Sequence, residues 1–212
     1  MAETFLITGG AGYIGSHVAW AAVDAGHSIV VLDDLSTGRA ASVPPSAEFV
    51  EGSIADGDLL DKLLSDGRIS AVMHFAGRIV VPESVSDPIK YYRQNTAATL
   101  ELLARMVEKG TKAVLFSSTA AVYEPRADGA PLEEDAPKAP LSPYGQSKLM
   151  TEAMIRDIGT AHGLSAAILR YFNVAGADPQ GRTGQSTPEA THLIKVASQT
   201  ALGQRESLSL FG

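Results

Sequence analysis

An apolar run that stops at a cluster of glycines restricts this chain more than any other feature. Phe5-Leu6-Ile7-Thr8 leads straight into Gly9-Gly10-Ala11-Gly12-Tyr13-Ile14-Gly15. The string fits G-x-G-x-x-G read from Gly10 and G-x-x-G-x-x-G read from Gly9. Alone such a string is weak. Here Ile14, Val18 and Ala22 follow at four-residue spacing, which is one apolar face of a helix. A buried strand, a glycine turn and a helix therefore succeed one another. Glycine suits a backbone that turns sharply, touches a pyrophosphate and lets a helix pack close to a sheet. N–H groups of the first helical turn then face the phosphates. The turn reads as a dinucleotide site.

The rest of the chain repeats the alternation. Gly26-His27 ends the first helix, and Ile29-Val30-Val31-Leu32 reads as a second buried strand. Phe49-Val50 is a weak third strand. Leu59, Leu60, Leu63 and Leu64 mark a helix ending near Gly67. Ala71 to Phe75 is a fourth strand, and Tyr91 to Lys109 a long helix closed by Gly110. Ala113 to Ser117 is a fifth strand. Ser142 and Pro143 suit the cap and first position of a helix running through Met150, Met154 and Ile158. Ala167-Ile168-Leu169 is a sixth strand. This order predicts an α/β fold, a doubly wound parallel sheet covered on both faces. We expect residues 1–173 to form the dinucleotide domain and 174–212 to begin a smaller substrate lobe.

Ligands of such sheets sit outside the carboxyl ends of the strands. The unusual residues lie at those ends: Gly9 to Gly15, Asp33, Ala76-Gly77, Ser117 to Thr119, and Asn173. Residues 124–143, with Pro125, Pro131, Pro137, Pro140 and Pro143, read first as a solvated surface loop. Their place between the fifth strand and the next helix leaves a second reading, a flap over the site.

Asp33 ends the second strand eighteen residues after Gly15. A carboxylate there accepts both ribose hydroxyls of an adenosine and repels a 2′-phosphate. Asp34 and Leu35 follow, with no arginine, which favours NAD over NADP. Tyr144 and Lys148 are four apart on a predicted helix and share one face. A tyrosine of pKa about 10 is a poor base near neutrality. A lysine ammonium and a positive nicotinamide ring would both favour its phenolate. A Thr119 hydroxyl would complete a proton path.

Composition narrows the alternatives. A formal net charge of -7 argues against nucleic acid or an anionic membrane as main partner. The chain has no cysteine, which excludes disulfides and thiol catalysis. No signal peptide or membrane-spanning run is legible, so the chain reads as soluble and cytoplasmic. No His, Asp or Glu spacing suggests a metal. His17, His27 and His162 read as packing or helix-end residues. Trp20 and the methionines read as core. Asn95 reads either as bonded to backbone near the site or as a surface asparagine.

Together the motifs resemble those of the extended short-chain dehydrogenase/reductase family, and within it the UDP-glucose 4-epimerases. The matching stretches are Thr8 to His17, Leu32 to Gly38, His74 to Gly77, Phe116 to Tyr123, Ser142 to Lys148, Arg170 to Ala177 and Thr191 to Ile194. The resemblance implies catalytic roles for Tyr144 (base and acid), Lys148 (ribose contact, tuning of Tyr144) and Thr119 (bridge to the sugar hydroxyl). For NAD it implies Gly9, Gly12, Tyr13, Ile14, Gly15, Asp33, Asp34, Ser36, Thr37, Gly38, Ser53, Ile54, Phe75, Ala76, Gly77, Asn95, Ser117 and Tyr171, beside Tyr144 and Lys148. For a UDP-hexose it implies Phe172, Asn173, His192 and Leu193, beside Thr119 and Tyr144. The implied reaction oxidises C4, turns the keto sugar and returns the hydride, in a homodimer. Related dehydratases place Asp-Glu directly after the threonine; here Ala120 and Ala121 stand there. Three residues depart from the common pattern: Glu124 where many relatives have glycine, Ser53 where many have aspartate, and Ile79, beside Arg78, where some have lysine. The family continues past Gly212, so this chain is expected to be an N-terminal portion that stops at Leu210-Phe211-Gly212 entering or leaving a strand. A 4-epimerase of another UDP-sugar and a non-catalytic NAD-binding fragment stay open as alternatives.

Overall fold

A computed structural model describes residues 2–126, 128–187 and 192–208. Thr191 and the terminal Leu210-Phe211-Gly212, both named above, lie outside the described residues. The six expected strands are β1 (Thr4–Thr8), β2 (Ser28–Asp33), β3 (Glu48–Glu51), β4 (Ile69–His74), β5 (Ala113–Ser117) and β6 (Ser165–Leu169). All pairings are parallel, in the order β3-β2-β1-β4-β5-β6. The chain winds outward from β1 in one direction and from β4 in the other. The reversal between them opens a crevice at the strands' carboxyl ends.

Alternation along the strands makes two cores. Leu6, Val30, Leu32, Val72, Val114 and Phe116 face α2 (Gly57–Leu64), α5 (Ala98–Lys109) and α6 (Pro143–His162). Ile7, Ile29 and Val31 face α1 (Tyr13–Asp24) through Ala19 and Ala22. Leu6, Leu60, Leu102 and Leu103 are fully buried; each such side chain stabilises by about 1.5–3 kcal/mol. β6 is the last strand of the sheet, and Ser165, Ala166, Ala167 and Leu169 are exposed.

The helix ends follow their capping chemistry. Ser142 Oγ accepts from the Gly145 N–H at 3.2 Å, with Pro143 in the first helical position. Asp56 caps α2 by accepting from the Leu59 N–H at 3.0 Å. Gly110 and Gly163 close α5 and α6 with φ of +80° and +70°. By contrast α1 starts at Gly12 with no side-chain cap, so its first N–H groups point unblocked into the crevice.

The long helix expected from Tyr91 to Lys109 starts earlier and is interrupted. A short α4 (Pro88–Tyr91) passes into a π-helical stretch, Tyr92–Ala97, before α5 begins. Such a stretch holds one extra residue in the turn and often marks a functional site. Two helices went unread in the sequence: α3 (Val81–Ser86) and α7 (Leu193–Ala201). Both are short, and α3 leaves Val81 and Val85 exposed. Two residues expected in the core lie elsewhere. Met150 is 41% exposed on α6. Trp20 is half-buried, donates to the Ser42 carbonyl at 3.1 Å and lies under the Arg182 guanidinium.

Residues 174–187 carry one antiparallel bridge, Ala177 with Gly184. They are tied to α1. Tyr13 Oη donates to the Gly176 carbonyl at 2.7 Å, and the Ser16 and Thr183 hydroxyls meet at 2.6 Å. Arg182 forks onto Asp24 and Asp178.

Candidate active site

The glycine turn is built so tightly that Gly9 and Gly15 leave no room for a side chain. Gly9 has φ of +70°, and a Cβ there would lie 2.6 Å from the Ala76 amide nitrogen. A Cβ on Gly15 would lie 2.2 Å from the Gly9 carbonyl oxygen. Both obstacles are backbone, which cannot give way. The result is a cradle of peptide groups just above β1.

Asp33 closes the other side of the cradle. It is 7% exposed and accepts from the Ala11 N–H at 2.9 Å and the Leu35 N–H at 2.8 Å. Burial raises its pKa, and these N–H bonds oppose the rise. Leu35 has φ of +56°, rare for a side-chain-bearing residue, and this turn aims its N–H at the carboxylate. Each carboxylate oxygen keeps lone-pair capacity for a further donor. Gly38 is the wall behind it: a Cβ there would meet Asp33 Oδ1 at 2.9 Å. Asp34 accepts from the Ser36 N–H at 3.0 Å, and Ser53 from the Ala55 N–H at 3.2 Å.

The cradle is one end of a cleft of about 1560 Å³. Gly9, Gly12, Tyr13, Ile14, Gly15, Asp33, Asp34, Ser36, Thr37, Ser53 and Ile54 line the part over β1 to β3. Phe75, Ala76, Gly77, Ser117, Thr119, Tyr144, Lys148 and Tyr171 line its centre, and Phe172, Asn173 and His192 its far end. Three residues expected in the site do not line it. Gly38 stands behind Asp33, as above. Leu193 is 56% exposed at the start of α7. Asn95 is buried in the π-helical stretch. Its amide accepts from the Arg78 N–H at 2.7 Å and donates to the Arg78 carbonyl at 3.0 Å and to Ser147 Oγ at 3.1 Å. It holds the loop after β4 against the helix that carries Tyr144.

The segment 124–143 contributes Glu124, Pro125, Leu132, Leu141 and Ser142 to the cleft wall. Both sequence readings fit: most of the described residues of the segment are exposed, and these five border the cleft.

At the centre, Lys148 is buried and donates to the Ser117 carbonyl at 3.0 Å, with its ammonium 4.9 Å from the Phe116 ring centroid. Burial lowers its pKa to about 8. Ser117 Oγ bonds the Tyr171 hydroxyl. Thr119 Oγ1 accepts from the Ala121 N–H at 3.1 Å, and Thr119 and Tyr144 line the same part of the cleft. The expectation that Lys148 lowers the Tyr144 pKa is not met by the protein groups alone. Burial raises it, and the Thr119 hydroxyl, not Lys148, is what opposes the rise. Lys148 is directed at Ser117 and Phe116, which explains why its charge does little at the phenol.

Several residues at the site were given no role from the sequence. Tyr91, fully buried, sits edge-on to Tyr144 at 6.4 Å and clasps Val80, accepting from its N–H at 2.9 Å and lying 2.7 Å from its carbonyl. Arg78 Nε donates to Gln94 at 2.5 Å inside the cleft. His74 and Glu152 are buried behind the site. Glu152 was findable, since it lies four residues beyond Lys148 on the same helix face. No group of three or more metal-ligating side chains occurs among the described residues.

A family model described as the NAD dependent epimerase/dehydratase family matches residues 5–212. The chain belongs to that family. It is 60% identical over 207 residues to a UDP-glucose 4-epimerase of Azospirillum brasilense, covering 98% of this chain and 59% of that protein. It is 43% identical to one of Lacticaseibacillus casei, covering 99% of this chain and 63% of that one. Among solved structures, UDP-glucose 4-epimerase from Brucella ovis in complex with NAD superposes with a TM-score of 0.93 at 41% identity, covering 100% of this chain and 64% of that one. The chain thus spans about three-fifths of the length of the curated relatives it matches. The family description suits the site. Glycines that no Cβ could replace and a carboxylate at the end of β2 are what an adenine dinucleotide needs. No helix among the described residues is long and apolar enough to cross a membrane.

Proposed function

We propose that this chain carries the NAD-binding and acid/base part of a UDP-glucose 4-epimerase, interconverting UDP-glucose and UDP-galactose. One observation carries the reading: a single cleft joins the glycine cradle and Asp33 to Thr119, Tyr144 and Lys148, while Ala120 and Ala121 line it where an eliminating enzyme would need carboxylates. The three similar epimerases named above support it.

Gly9, Gly12 and Gly15 would hold the pyrophosphate, Asp33 the adenosine ribose, and Lys148 the nicotinamide ribose. Bound NAD supplies a hydride acceptor that gives the hydride back. The residues handle the proton. Tyr144 takes the proton of the sugar C4 hydroxyl directly or through Thr119, then returns it to the other epimer. The Lys148 ammonium stays fixed on the Ser117 carbonyl beside this step. The positive nicotinamide ring of bound NAD would favour the Tyr144 phenolate, which burial alone disfavours. Phe172, Asn173 and His192 would meet the sugar nucleotide, and residues 174–212 would begin the lobe that encloses it. The cleft, about 1560 Å³, has room for a keto sugar to turn.

The same reading extends to a homodimer. Ile89 and Leu100 are exposed along α4 and α5, and Met150 on α6. They would pack these helices against their copies. The test is interconversion by the full-length protein, with UDP-galactose set against N-acetylated and pentose UDP-sugars. Turnover of UDP-galactose as the preferred substrate is the expected result. A folded, NAD-loaded enzyme that leaves it unchanged would sink the proposal.

A further inference from the structure

Glu152 lies one helical turn beyond Lys148 and its side chain is fully buried. A buried carboxylate is costly unless donors surround it, and four do. Ser118 Oγ reaches Oε1 at 2.5 Å and Arg170 Nε at 2.8 Å. Arg170 Nη2 reaches Oε2 at 2.6 Å and Arg156 Nη2 at 2.7 Å. Arg170 therefore docks by one edge of its planar fork. The other nitrogen, Nη1, points away from α6. It donates to Tyr123 Oη at 2.7 Å and to the Glu134 carbonyl at 3.0 Å. Tyr123 Oη donates onward to the same carbonyl at 3.2 Å. The Tyr123 ring also lies close to two cations, Arg170 at 5.0 Å and Lys138 at 5.7 Å. Glu124 N–H donates to the Pro137 carbonyl at 3.0 Å and draws the base of the loop together.

The consequence is a continuous path from the buried helix to the cleft wall. Its inner end touches Ser118, next to Thr119. Its outer end holds Tyr123 and Glu134, on either side of the cleft-lining Glu124, Pro125 and Leu132. A lysine in place of Arg170 would keep the charge but has no second edge to offer the loop.

We propose that Glu152 and Arg170 are positioning residues, a buried latch that sets the 124–142 flap over the sugar half of the cleft. This rests on the reading that the cleft takes a UDP-hexose. The latch couples the height of the flap to the Ser118-Thr119 turn, so loosening it opens the substrate end and spares the glycine cradle.

Two variants of the full-length protein test the latch: Tyr123→Phe, which leaves the buried pair untouched, and Arg170→Lys. Trypsin cleavage after Arg126 and Lys138 reports the flap, and kinetics on UDP-galactose report the site. Each variant should speed cleavage at those two positions about tenfold, the effect of losing one hydrogen bond to a charged group. KM should rise more than kcat falls, with bound NAD unchanged. Wild-type cleavage and KM in both variants would overturn the latch. So would cleavage that rises equally after Lys112, in front of β5, because that marks general loosening. The proteolysis needs no turnover, so a wild-type enzyme inactive on UDP-galactose would refute the epimerase reading and leave the latch to be judged by cleavage.

Discussion

Acid should weaken this fold through one buried histidine beneath the cofactor loop. His74 is 1% exposed at the end of β4. Its Nδ1 lies 2.6 Å from Thr8 Oγ1 and its Nε2 lies 2.8 Å from Thr99 Oγ1. Thr99 donates its own hydrogen to the Asn95 carbonyl at 2.5 Å, so it can only accept from the ring. Nε2 therefore carries the single ring proton, and Nδ1 accepts from Thr8. A second proton, on Nδ1, would force the Thr8 hydroxyl to turn its own hydrogen away and would bury a charge. Burial, with the Lys148 ammonium adding to it, pulls the ring's pKa down from 6.5 to about 3. The folded pKa lies below the unfolded one, so the unfolded chain takes up more protons as pH falls. Stability from the neutral ring is complete above pH 6.5 and drains away down to about pH 3. At about 1.4 kcal/mol per pH unit, the loss reaches roughly 2 kcal/mol at pH 5. That is a large share of a typical total of about 5–15 kcal/mol. Urea unfolding of wild type and His74→Gln across this range isolates the ring, because the other titrating groups act in both. The variant starts less stable at neutral pH, and the gap should narrow by about 2 kcal/mol on reaching pH 5. Parallel curves would refute the assignment.

Three further outcomes follow from the site. Gly15→Ala should abolish NAD retention and lower the melting temperature, since its Cβ would sit 2.2 Å from a backbone oxygen; Gly26→Ala, with nothing within 4 Å, should keep its NAD, and absorbance of the released cofactor checks both. Asp33→Asn should weaken NAD binding about tenfold, as expected for weakened hydrogen bonds to a charged group, and shrink its margin over NADP in a fluorescence titration. Tyr144→Phe should cut kcat by about 10²–10⁴ while NAD content stays at the wild-type level; a variant with near-normal kcat would remove Tyr144 from the proton step.

Much of this was legible in the sequence because the signals were local. β1, the glycine turn and α1 lie within two dozen residues and obey backbone sterics. Ser142 and Gly110 act on their own helix ends. Asp33 and the Tyr144–Lys148 pair were found by spacing along single elements. What stayed hidden depends on packing between distant segments. The π-helical stretch at Tyr92–Ala97 leaves the apolar spacing nearly unchanged, so a helix was read where the backbone widens. Tyr91 and Asn95 matter through loop atoms at Val80 and Arg78. Arg170 matters through Glu152 on one side and Tyr123 on the other. The target of Lys148 stayed hidden for the same reason: the residue is on the expected helix face, but its ammonium donates to the Ser117 carbonyl.

The most direct measurement follows the hydrogen on C4. Full-length protein, with no added cofactor, is given UDP-galactose deuterated at C4, and the UDP-glucose formed is read by NMR. A hydride taken and returned within the cleft leaves the deuterium at C4 of the product. Product carrying solvent hydrogen there, or no product from a folded NAD-loaded enzyme, would contradict the assignment of this cleft to 4-epimerisation.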